Sequence, residues 1–190
     1  MPDIDNRDSN PNIEPETLID RAVGGDTEAF GQLYDMYADR IYRHIYYRLS
    51  NKEDAKDLTQ EVFLKAWKAL PKYKKTGTPL LGWLFTISHN RIIDHYRTKK
   101  DHVNIDDKIV IEDRQKRPEE LLEDQYTQQD IRRAILQLPE IQQQAILMSY
   151  IEGLEYSEIA ATLKKSEGNV RVIIHRALKQ MRDILGKVNE

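Results

Sequence analysis

Apolar side chains recur every three or four residues along most of this chain, and prolines and glycines punctuate each recurrence. That spacing puts one stripe of each segment on one side of an α-helix, so it constrains the fold more tightly than composition does. A short helix is predicted after Pro15, ending at Gly24-Gly25. Asp26 then caps a long helix on which Phe30, Leu33, Tyr34, Tyr37, Ile41 and Ile45 form a buried stripe. Ser50-Asn51 breaks that helix and caps the next, Lys52 to Leu70, with Ala55, Leu58, Val62, Ala66 and Leu70 inward. Pro71 ends it, leaving Lys72 to Thr78 as an exposed basic loop. Thr78-Pro79 marks the start of a third long helix, with Leu81, Leu84, Phe85, Ser88 and Ile92 inward and an end near Lys100.

Periodicity then lapses. Residues 101–126 hold a short Val/Ile piece, Arg117-Pro118 and an acidic run, which is the pattern of a flexible linker. Order resumes at Thr127, where Asp130 completes a capping-box pattern, followed by Ile131, Ile135 and Leu138. Pro139 opens a helix closed by Gly153 as a left-handed cap, and helices from Tyr156 to Leu163 and from Gly168 to Ile184 follow. The expected fold class is all-α, with two small helical domains joined by a flexible linker. The expected boundaries are a tail at 1–13, a first lobe at 14–100, the linker at 101–126 and a second lobe at 127–190. A length of 190 residues accommodates two such lobes.

Composition agrees with this and excludes several functions. Charged residues make up 32% and glycines number only 8, which suits wet amphipathic helices better than a turn-rich β fold. Without cysteine there are no disulfides or thiolate metal sites, and a reducing cytoplasm is the natural compartment. The histidines show no ligand spacing, so no metal is expected. The acidic, polar N-terminus is no secretory signal, and the apolar run Pro79 to Phe85 is far short of the ~20 residues of a membrane span, so no membrane insertion is expected.

A net charge of −3 conceals a strong segregation. From Val62 to Lys100 nine basic residues face one acid, Asp94, a balance of +8. From Lys164 to Arg182 six face Glu167 alone, a balance of +5. The connector and its flank, Asp101 to Asp130, carry ten acids and four bases, a balance of −6. Two basic blocks separated by an acidic connector point to nucleic acid.

The last two helices are spaced as a helix-turn-helix. With Val170, Ile174, Ala177, Leu178 and Met181 inward, the second presents Arg171, Val172, His175, Arg176 and Lys179: donors for guanine edges and phosphates, and a methyl-bearing side chain for thymine. A merely solvated face is the competing reading. In the first lobe, Trp83, Ile87, Asn90, Asp94 and Arg97 share an outward face beside the basic loop. Aromatic rings stack separated bases while lysines follow phosphates, although Trp83 also fits a partly buried core position. Asp57, Gln60, Glu61, Leu64, Lys65 and Lys68 mix apolar and charged groups on the second long helix, which suits a protein partner.

Together these segments resemble the extracytoplasmic-function (ECF) sigma factors. DAKDLTQEVFLKAWKAL at Asp54–Leu70 resembles that family's core-polymerase-binding helix, and GWLFTISHNRIIDHYRTKK at Gly82–Lys100 its promoter-melting helix. LPEIQQQAILMSYIEGLEYSEIAATLKKSEGNVRVIIHRALKQMR at Leu138–Arg182 resembles its helix-turn-helix domain. The resemblance implies a transcription initiation factor and no enzyme, with no catalytic residue and no cofactor. Its first lobe, region 2, would bind the clamp of core RNA polymerase through Asp57, Gln60, Glu61, Leu64 and Trp67. The same lobe would hold melted −10 DNA through Tyr73, Lys74, Lys75, Trp83, Asn90, Arg91 and Arg97. The second lobe, region 4, would bind the polymerase flap and read −35 promoter DNA through Arg171, Val172, His175, Arg176 and Lys179. An anti-sigma factor is a further partner implied by the family.

Two positions depart from the pattern: Glu155 stands where a capping Ser or Thr is usual, and Lys164-Lys165 replaces a Gly plus an apolar residue in the turn. The rival readings are a dimeric helix-turn-helix regulator that binds duplex alone, and a nucleic-acid enzyme using Asp35, Asp39, Asp54 and Asp57. The aperiodic acidic connector predicts that the two lobes move independently in the free protein.

Overall fold

The computed structural model describes residues 14–49, 51–75, 77–102 and 127–186. The expected tail at 1–13 and residues 103–126 of the expected linker lie outside the described residues. Eight α-helices and no strands occur among the described residues: α1 Pro15–Val23, α2 Thr27–Leu49, α3 Lys52–Ala69, α4 Leu80–His102, α5 Gln128–Leu136, α6 Glu140–Ile146, α7 Tyr156–Leu163 and α8 Glu167–Gly186. None of these helices is long and apolar enough to cross a membrane.

The start signals act locally. Asp26 accepts from the amides of Glu28 and Ala29 at 3.0 Å. The Ala29 bond, then the adjoining Arg21, holds its carboxyl below the usual range. Asn51 accepts from the Asp54 amide at 3.0 Å, and Thr127 and Asp130 complete their capping box. Pro79 lies just before α4, and its carbonyl accepts the first helical bond, from Trp83. Glu155 starts α7 without Ser157: its amide donates to the Glu158 carboxylate at 2.8 Å. Lys164 takes the left-handed conformation at the end of α7, with φ 53° and ψ 48°, so the turn keeps its shape although a lysine fills it.

In the first lobe α1 to α4 bury Leu33, Ile41, Ile45, Val62, Ala66, Leu84, Phe85 and Ile92. In the second, α5 to α8 bury Ile135, Leu147, Ile159, Val170, Ile174 and Ala177. Between α6 and Gly153 the chain widens into a π turn, Leu147–Ile151, and Gly153 takes φ +66° as expected of a left-handed cap.

The lobes do not stand apart. The buried apolar cluster runs without a break from Leu18 through Ala177, with α4 packed on α7 and α2 packed on α5 and the π turn. The expected independence of the lobes is therefore corrected. It rested on the connector, whereas the docking comes from α2: Arg40 and Arg43 reach Glu152, and Arg48 reaches Glu140.

Candidate nucleic-acid interface

The end of α8 nearest the turn is held by Ser166, whose hydroxyl accepts from the Asn169 amide. Its buried stripe of Val170, Ile174 and Ala177 fixes the helix's rotation about its axis. That rotation leaves Arg171, Val172, His175, Arg176 and Lys179 exposed together. Val172 keeps 47% of its surface open, an exposure unusual for valine and suited to meeting a thymine methyl. Arg171 is drawn toward the turn by Glu167 at 3.8 Å and lies 5.9 Å from the Tyr156 ring centre.

The first lobe's candidates divide. Tyr73, just past the 3-10 turn Leu70–Lys72, donates its hydroxyl to the Thr78 carbonyl at 2.9 Å, and its ring lies 5.0 Å from that of Trp83. Partial burial raises the Tyr73 phenol above its ordinary value, which keeps it a donor. Trp83 is thus half-buried, combining the two readings of the sequence. Lys74 is exposed, while Lys75 is tied to Asp20 at 2.6 Å and to the Glu16 carbonyl at 3.0 Å. Asn90 and Arg97 lie open on α4, where Arg97 reaches Asp94 at 3.4 Å. Arg91 turns aside to Glu61 and Asp94. Ile87, read from the sequence as outward, is 8% exposed.

On α3, Asp57, Gln60, Glu61 and Leu64 face outward, and Leu64 is 62% exposed. Gln60, Leu64 and Trp67 line one side of an apolar groove of about 440 Å³, completed by Phe63 and, from α2, Thr27, Phe30 and Tyr34. The Phe30 and Trp67 rings meet at 4.8 Å, and Tyr34 meets Phe63 at 4.7 Å. Sequence reasoning assigned Phe30 and Tyr34 to the core and missed them here. The signal lay in two aromatic pairs at i, i+4 spacing, Phe30/Tyr34 on α2 and Phe63/Trp67 on α3. One stripe of rings on each helix is wider than the contact between them can cover.

Of the aspartates a nucleic-acid enzyme would need, Asp35, Asp39 and Asp57 are exposed along α2 and α3, and Asp54 lies 3.4 Å from His95. Among the described residues no group of three or more His, Asp or Glu is placed to hold a metal.

Residues 33–102 match the family Sigma-70 region 2, and residues 128–181 match the family Sigma-70, region 4. ECF RNA polymerase sigma factor SigE of Mycolicibacterium smegmatis is 34% identical over 186 residues, spanning 93% of this chain and 70% of that protein. ECF RNA polymerase sigma factor BldN of Streptomyces coelicolor is 30% identical over 170 residues, which is 88% of this chain and 64% of the relative's length. Among solved structures, the sigma factor RpoE of Bartonella quintana, crystallised with the anti-sigma factor NepR, superposes with a TM-score of 0.65 at 25% identity. That superposition covers 83% of this chain and 96% of the other.

Proposed function

The chain belongs to the ECF RNA polymerase sigma factors, and we propose that it recruits core polymerase to promoters by reading a −35 duplex with α8 and capturing unpaired −10 bases with the first lobe. The observation that carries this reading is the single exposed face of Arg171, Val172, His175, Arg176 and Lys179 over a fully buried Val170/Ile174/Ala177 stripe. Such a helix enters a major groove with its donors toward base edges and phosphates.

The −10 reading is supported by the tilted ring pair of Trp83 and Tyr73 beside exposed Lys74, with Asn90 two helical turns along α4. The aromatic groove and the projecting Leu64 form a surface with a pocket for one bulky apolar side chain of the polymerase clamp, and Asp57, Gln60 and Glu61 are exposed on the same helix as Leu64. Flap binding by the second lobe and control by an anti-sigma factor complete the proposed partners, the latter supported by the complex of the Bartonella protein. The chain carries out no covalent step in this scheme, because the polymerase makes the RNA.

Runoff transcription with core polymerase on a fragmented genomic library tests the reading. The expected result is transcript starting downstream of a shared two-part sequence. A chain that shifts duplex DNA without core polymerase and gives no transcript with it would instead be the dimeric regulator.

A further inference from the structure

We propose that Asp20 on α1 is a positioning residue for −10 recognition: through Lys75 it fixes the tip of the loop between the 3-10 turn and α4, so that Lys75 shapes the loop instead of meeting the strand's phosphates. The tie is a contact within this chain, and only its consequence for −10 DNA rests on the function proposed above.

The loop is closed at its base, where the Tyr73 hydroxyl donates to the Thr78 carbonyl at 2.9 Å and the Tyr73 ring packs 5.0 Å from that of Trp83. On the returning arm Gly77 takes φ +93°, a conformation that favours glycine. Closure at the base alone leaves the tip free to swing. Lys75 removes that freedom, because its ammonium pairs with Asp20 Oδ1 at 2.6 Å and donates to the Glu16 carbonyl at 3.0 Å. Glu16 and Asp20 are four residues apart and share one face of α1. The opposite face buries Leu18, Ile19 and Ala22, and α1 packs on the 3-10 turn itself, so the anchor is rooted in the first lobe's core.

A lysine that serves a phosphate is left free, as Lys74 is. Lys75 instead has two of its three ammonium protons committed within the chain. Its partner, Asp20, keeps 70% of its side chain open, so an unpaired Asp20 would repel a strand passing the loop. One exposed ion pair holds weakly, but the second bond from the same ammonium gives the tie a direction. An unpaired base entering such a loop meets a preset shape, and the ordering cost has been met before binding.

Because the sequence has no cysteine, Lys74→Cys carries a single nitroxide beside the tie, and its continuous-wave line shape on the full chain without DNA reports the order of the loop. The expected result is a broad, slow component with Asp20 and Lys75 intact, replaced by a narrow, fast one in Asp20→Asn and in Lys75→Gln. Combining the two should change nothing further, because both break the same tie. Without the label and with core polymerase, binding is measured on single-stranded −10 DNA from runoff-selected promoters and on a scrambled strand. Asp20→Asn should lose roughly two- to fivefold of the preference, the scale of one exposed ion pair, at an unchanged salt slope. Lys74→Gln should instead lower the slope by about 0.7, and Asp20→Glu, which keeps the carboxylate, should keep both preference and slope. The same line shape in Asp20→Asn as in its parent overturns the tie. Tighter binding of every strand by Asp20→Asn with a steeper slope overturns the positioning role, since Lys75 would then be a phosphate contact that Asp20 masks. If the parent itself shows no preference for −10 strands, the promoter reading falls and the line shapes still decide the tie.

Discussion

Arg91 on α4 is ion-paired with Glu61 on α3, so a cation expected to meet −10 phosphates and an anion expected to meet the polymerase clamp neutralise each other across one helix pair. Under the proposed roles, the pairing would make Glu61 a restraint on DNA binding as well as a polymerase contact. Replacing Glu61 with Gln is expected to free Arg91 for a phosphate. With saturating core polymerase, affinity for single-stranded −10 DNA should rise, and the salt slope should steepen by about 0.7. Fluorescence anisotropy across a salt series measures both. An unchanged slope would show that Arg91 does not reach the strand.

On α8 the two arginines are placed differently. Arg171 is drawn to Glu167 and Tyr156 near the start of the helix, while Arg176 lies more than one turn further on. If one reads a base edge, its change to Ala costs about 1–3 kcal/mol and relaxes selectivity at one −35 position; loss of a phosphate contact weakens all sequences alike and lowers the salt slope by about one. Tyr73→Ala and Asn90→Ala should leave −35 binding intact and impair opening, read by permanganate reactivity of unpaired thymines. Normal opening by both variants, together with normal transcription by Arg171→Ala and Arg176→Ala, would remove the site assignment.

Lys164 offers a stability prediction. Its left-handed backbone, φ 53°, strains a residue with a Cβ and relaxes in glycine. Lys164→Gly is expected to stabilise the second lobe by up to about 1 kcal/mol, raising Tm by roughly 2–4 °C. It should also weaken DNA binding slightly if the ammonium contacts a phosphate. A lowered Tm would mean that the flexibility glycine adds to the unfolded chain outweighs the strain relieved.

What could be read from the sequence was what is local. The caps at Asp26, Asn51 and Thr127 act within three residues, and the stripe Val170/Ile174/Ala177 follows from helical spacing alone. What escaped is long-range. Ile87 sits four residues after Trp83 and so reads as outward, yet α4 is covered by α2 and α3 within its lobe and by α7 from the other. Arg40 and Glu152 are 112 residues apart, and no pattern within one helix announces such a pairing. Arg40, Arg43 and Arg48, which reach Glu152 and Glu140 of the second lobe, lie outside the basic block at 62–100.

The core of the first lobe predicts an acid-sensitive stability. His44 on α2 is wholly buried against Phe85, 4.6 Å between ring centres, and neither ring nitrogen has a hydrogen-bond partner among the described residues. Burial first, then the Arg48 and His89 charges, holds its pKa well below the ordinary 6.5. His89 is lowered by burial and Arg48 against a smaller opposing pull from Glu140. His44 is neutral in the fold, whereas the unfolded chain takes up protons near pH 6.5, and the shift of His89 acts in the same direction. The sign follows: their contribution is fully present above about pH 6.5 and is lost as pH falls below it, at up to about 1.4 kcal/mol per pH unit for His44. Carboxylates titrate mostly below this window. Thermal unfolding at pH 7.5, 6.5 and 5.5 should therefore show a falling Tm in the parent and a flatter series in His44→Leu. If the variant falls in parallel with the parent, the acid sensitivity belongs to other groups and His44 is only a packed ring.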